Sequence, residues 1–95
     1  MAMHNPPHPG EFINDVYLKP LNVNSRLVAE KLKVSPATFQ RLLKGRSSIS
    51  SEMALRLSIT LGRTPESWLV MQDNYNLWQA RQRVNLDNVE KLLVV

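Results

Sequence analysis

The side chains best suited to chemistry in this sequence are hydrogen-bond donors rather than nucleophiles. Between Pro36 and Lys44, an α-helix drawn at about 100° per residue puts Ala37, Gln40, Arg41 and Lys44 on one side. Phe39, Leu42 and Leu43 fall on the other, with Val34 just before them. A helix that enters the major groove of DNA needs this division: an apolar back to anchor it, and long donors with nothing bulky on the face that meets the bases. Arg41 can donate two bonds to O6 and N7 of guanine, and Gln40 can pair bidentately with adenine. The Ala37 methyl can pack on a thymine methyl. Pro36 shares the base-facing end of the segment but brings no donor. Lys44 and Arg46 lie at the carboxyl end, better placed for phosphates, which position a protein without reading sequence. Ser35 and Thr38 are further phosphate candidates, as are Ser25, Arg26 and the amides opening the preceding helix, because helix amino termini attract anions.

Other chemistry finds little support. Catalysis requires a nucleophile with its base, or two converging carboxylates. His4 and His8 are the two histidines, both in a proline-rich stretch expected to be a mobile arm, and the acids are scattered. As a metal pair at i, i+4 they would need a helix, which the intervening prolines exclude. No metal, cofactor or enzymatic activity is expected. Cysteine is absent, which removes disulfides and fits a reducing compartment. No apolar run approaches a bilayer span, and the amino terminus does not resemble a signal peptide, so a cytoplasmic protein is expected.

The elements that must position these donors are helices. Strand alternation and hairpin turns are lacking, whereas helix punctuation recurs. A first helix begins near Pro9–Gly10, with Phe12, Ile13 and Val16 as its stripe, and Pro20 is expected to stop it. Asn24 or Ser25 caps a second, on which Val28, Ala29 and Leu32 share a face. Ser35 caps a third, with Pro36 at its first position and Gly45 suited to a left-handed C′. Ser50 caps a fourth, reaching Gly62. Its Ala54, Leu57 and Leu61 on one side and Leu55 and Ile59 on the other predict a central, buried helix. Thr64-Pro65-Glu66 opens a fifth, lasting to about Arg83. The expected organisation is an arm over 1–9, one all-α five-helix domain over 10–83, and a tail over 84–95 that is either a short helix or extended. Only Lys33-Val34-Ser35 separate the second and third helices, the spacing of a helix-turn-helix.

Charge agrees with a polyanion-binding face. The 95 residues carry a net charge of +4, and residues 25–46 alone hold six cations against Glu30. A solvated basic surface, or one meeting an acidic protein, would show the same pattern; salt-dependent binding to random duplex DNA separates them.

The stretch from Leu27 to Gly45 resembles the helix-turn-helix of the phage-repressor-like (XRE) family. The blocks NPPHPGEF near the start, Pro20-Leu21, SEMALRLSITLG over 51–62 and PESWLVMQDNYNLW over 65–78 are similar to the HigA antitoxins, or VapI group. The resemblance implies a five-helix phage-repressor-like fold, a double-stranded operator and autoregulation of a two-gene operon. It also implies a HigB-type mRNA-endonuclease toxin as partner, although a stand-alone regulator shares the same physics. Some positions depart from the family pattern. Lys33 stands where glycine is usual, and positive φ there would cost roughly 1 kcal/mol. Pro36 replaces a frequent polar base-contacting residue, and Asn76 a common aspartate.

Two further surfaces are expected. Trp68, Met71, Tyr75 and Trp78 form a stripe on the fifth helix, and with Leu69 and Gln72 they are candidates for a homodimer interface. Asn14, Asp15 and Tyr17 on the first helix are expected to lie away from the basic face, where a basic toxin could dock.

Overall fold

A computed structural model describes residues 5–93. His4 and the last two residues, and with them the His4–His8 pairing, lie outside that range. The described residues form five helices and no strand: α1 (residues 9–21), α2 (Ser25–Leu32), α3 (Pro36–Leu43), α4 (Ser51–Thr60) and α5 (Pro65–Arg83).

Each helix starts on a side-chain cap. The acceptors are His8 Nδ1, Asn24 Oδ1, Ser35 Oγ, Ser50 Oγ and Thr64 Oγ1, each receiving a first-turn backbone N–H. Proline fills the first position of α1, α3 and α5, where a missing N–H costs nothing. Gly45 ends α3 at φ 74°, with Arg46 N–H returning to the Arg41 carbonyl at 2.9 Å.

Pro20 does not stop the first helix. Asn14–Leu18 widen into a π turn, in which Lys19 N–H reaches the Asn14 carbonyl. That widening displaces the preceding turn of carbonyls, one of which a proline ring at position 20 would otherwise strike. The helix runs on to Leu21, and Asn22 closes it in a left-handed conformation at φ 52°.

Lys33 does adopt positive φ, at 61°. A brace from α4 holds this turn: Arg56 donates to the Leu32 carbonyl at 2.8 Å and pairs with Glu52 at 3.2 Å. Charge-assisted bonds of this kind help offset the backbone strain.

The core gathers Ile13 and Leu18 from α1, Val28, Ala29 and Leu32 from α2, and Phe39 and Leu42 from α3. Ile49, Ala54, Leu57 and Trp68 complete it. The fourth helix buries one side only. Leu55 and Ile59 are 56% and 87% exposed, because nothing in the single chain covers that side. Residues 84–93 form no helix and lie exposed, with one turn at residues 87–88. The expected mobile arm is packed from Pro6 onward: Pro6 and His8 are buried.

Candidate nucleic-acid interface

The helix-turn-helix is α2, the turn Lys33-Val34-Ser35, and α3. Phe39 and Leu42 are buried and Leu43 half-buried, while Pro36, Ala37, Gln40, Arg41 and Lys44 are exposed. The polar side of α3 therefore faces water and its apolar side joins the core, as its residue spacing dictates.

The exposed donors are partly organised. Ser35 Oγ accepts from Thr38 N–H at 3.1 Å and donates to Thr38 Oγ1 at 2.8 Å. Arg41 donates to the same Thr38 oxygen at 3.3 Å. Ser35 thus spends its proton internally, and the Thr38 hydroxyl keeps one for an outside acceptor. Gln40 Nε2 donates to Ser25 Oγ at 2.9 Å, tying α3 to the start of α2 and leaving the Ser25 proton free. The amides opening α2 are less free than the sequence suggests: Arg26 N–H bonds Asn24 Oδ1 at 2.7 Å, and Leu27 and Val28 N–H bond the Asn24 carbonyl. Anion attraction at this end falls to the Ser25 hydroxyl and the exposed Arg26 side chain.

Beside this face lies a polar hollow lined by Asn14, Lys19, Asn22, Ser25, Gln40 and Lys44. Sequence reasoning missed Lys19 and Asn22, because Pro20 made that stretch read as a loop. It also put Asn14 on the far side. The π turn brings Asn14 against the basic face, whereas Asp15 points to solvent and pairs with Lys19 at 3.2 Å. Tyr17 is half-buried, its ring 6.2 Å from both Phe12 and Trp68.

The carboxyl end of α3 rests on α1. A Cβ at Gly10 would strike the Leu42 carbonyl oxygen and lie 2.8 Å from Leu43 Cα. His8 packs beneath Gly45, and burial lowers its pKa below the usual 6.5, opposed by a bond to the Ser47 backbone and by Glu11. Ile49 N–H donates to Gln72 Oε1 at 2.9 Å, holding the following loop to α5.

The dimer stripe expected on α5 needs correction at two residues. Trp68 is 0% and Gln72 3% exposed within the single chain. Trp68 completes the core and donates to the Gly62 carbonyl at 2.9 Å, and Gln72 serves the loop just described. Leu69, Met71, Tyr75 and Trp78 stay half-buried, and Val70 and Leu77 are exposed. Among the described residues, no group of histidines and carboxylates could hold a metal ion.

A model of the helix-turn-helix family matches residues 17–69. The uncharacterized HTH-type transcriptional regulator YddM of Escherichia coli K12 is 36% identical over 93 residues, covering 98% of each chain. Antitoxin HigA-1 of Vibrio cholerae is 34% identical over 74 residues, 78% of this chain and 70% of that protein. Among solved structures, antitoxin GraA in complex with its operator matches with a TM-score of 0.87 at 34% identity, over 99% of this chain and 97% of that one. These relatives are a transcriptional regulator and antitoxins.

Proposed function

The chain belongs to the helix-turn-helix family, and on that premise we propose that it is a sequence-specific transcriptional repressor binding operator DNA as a homodimer. The observation that carries this reading is the exposure of Ala37, Gln40, Arg41 and Lys44 on a helix whose Phe39 and Leu42 are buried. Arg41 and Gln40 read base edges, and Ala37 and Pro36 meet the groove wall. Lys44, Arg46, Arg26, Ser25 and Thr38 hold phosphates, with Ser35 acting as their local support. The similarity to antitoxin GraA, solved in complex with its operator, supports duplex DNA as the ligand. Dimerisation draws on Leu69, Met71, Tyr75 and Trp78 of α5 together with Leu55 and Ile59 of α4. The test is binding to DNA from upstream of its own gene across a range of salt. Lys44→Ala should weaken binding to operator and random duplex alike and flatten the salt slope by about one unit. A loss confined to one sequence would refute the phosphate role.

The finer proposal is an antitoxin that neutralises a HigB-type mRNA-endonuclease toxin in the cytoplasm and represses their shared operon. Its support is the similarity to HigA-1 and GraA. Asp15 and Tyr17 are the proposed toxin-facing residues, joined by the neighbouring apolar hollow of Pro7, Phe12 and Val70. The adjoining reading frame should encode a small basic protein that co-purifies with this chain; without such a frame, the stand-alone regulator holds.

A further inference from the structure

His8 is the one buried ionisable side chain among the described residues, and the expected DNA contacts make no use of it. Its imidazole touches three elements. Gly10 N–H donates to Nδ1 at 2.9 Å, which starts α1. The Ser47 backbone lies beside the ring and favours its protonated form. With Nδ1 accepting, the neutral ring carries its proton on Nε2. The ring is also wedged between Tyr75 of α5, edge-on at 4.9 Å, and Gly45, where a Cβ would lie 3.5 Å from His8 Cγ. Gly45 and Ser47 flank Arg46 and follow Lys44, so His8 supports the turn that carries two proposed phosphate donors.

We infer that His8 is a positioning residue for DNA binding: its neutral imidazole holds the Lys44–Ser47 turn against α1 and α5, and protonation releases the turn and weakens the grip on DNA phosphates. The inference rests on the DNA-binding role proposed above. A proton on Nδ1 would set donor against donor at Gly10 N–H. The ring would have to turn, giving up the helix cap and its packing under Gly45. The charged and titratable groups facing it are few. Glu11 on α1 favours the protonated ring; Lys44 at the end of α3 and the amide dipoles opening α1 oppose it; the Tyr75 hydroxyl on α5 already accepts from Gln79 at 3.0 Å. Burial sides with the neutral form.

The sign follows. The unfolded chain protonates near 6.5 and the folded chain below it, so the support is complete above that pH and is lost as pH falls through the folded value. The experiment uses the full chain with His4→Asn, which leaves His8 as the only histidine, and measures affinity for upstream and random-sequence duplexes. As pH is lowered from about 7.5 through the folded His8 titration, affinity for both should fall, by up to about tenfold for each pH unit below that point, and the salt slope should flatten by about two units as Lys44 and Arg46 withdraw. His8→Asn in the same background keeps an acceptor for Gly10 N–H, and its binding should be weaker at neutral pH and flat with pH. The same pH dependence in His8→Asn, or an unchanged slope in acid, overturns the inference. Should His8→Asn fail to fold, the amide resonances of Gly45, Arg46 and Ser47 in the His4→Asn chain decide: they must titrate with the His8 ring, and amides that stay fixed overturn it. Absence of any DNA binding at neutral pH sinks the repressor reading and this one together, whereas binding without a His8-dependent response sinks this one alone.

Discussion

Arg41 is exposed on the outer side of α3, with a guanidinium nitrogen 3.3 Å from the Thr38 hydroxyl. That bond fixes the direction of a long side chain before DNA arrives, so less rotamer entropy is lost when it docks. Arg41→Ala should cost about 1–3 kcal/mol on the cognate operator and relax the preference at one base pair. A quantitative binding assay over single-base operator variants checks this, and an unchanged profile removes Arg41 from the reading set. At this scale the sequence was informative, because a 3.6-residue period and donor chemistry are both written in the residue order. What it did not show was how neighbouring donors consume one another. The Ser35 proton goes to Thr38, and Gln40 is drawn to Ser25, fifteen positions away. Neither pairing follows from spacing along one helix.

At the scale of elements, caps and breakers located the five helices well, and the errors arose where tertiary structure overrode a local rule. Pro20 reads as a stop, yet a π turn lets the helix pass it. His8 reads as part of a loose arm, yet its ring nitrogen is the cap of α1. The run His8-Pro9-Gly10-Glu11 did hold a usable signal: a cap acceptor, a proline at the first position, and an acid in the first turn. Its glycine has a separate reason. No side chain fits between α1 and the Leu42 carbonyl, so Gly10 sets how closely α1 approaches the recognition helix. Gly10→Ala gains helix propensity but must push two helices apart, and overpacking of this kind costs about 1–3 kcal/mol. Thermal unfolding should show a midpoint several degrees lower, together with weaker DNA binding through displacement of Lys44. A raised midpoint would mean the helix pair yields without strain.

For the whole molecule, the open question of assembly turns on apolar surface. Helix-turn-helix proteins commonly read paired half-sites about 34–36 Å apart, which calls for two copies of α3 held by a two-fold interface. The sequence pointed to Trp68 and Gln72 because stripes on a helix do not say which chain covers them; both are covered by their own chain. The surface left open has shifted toward α4, where Ile59 is 87% and Leu55 56% exposed, one turn apart. Single exposed apolar residues are ordinary, but an i, i+4 pair on one helix face is the stronger seam. Both α4 residues are solvent-facing, so a charge there leaves the monomer core intact. Ile59→Glu should therefore give folded monomers in sedimentation analysis, with unchanged helical content. Its operator affinity should fall toward that of a single half-site, while Leu77→Glu on α5 leaves the dimer in place. Dimers retained by Ile59→Glu and lost in Leu77→Glu would transfer the seam to the outer face of α5. Dimers lost in neither would remove both faces from the assembly.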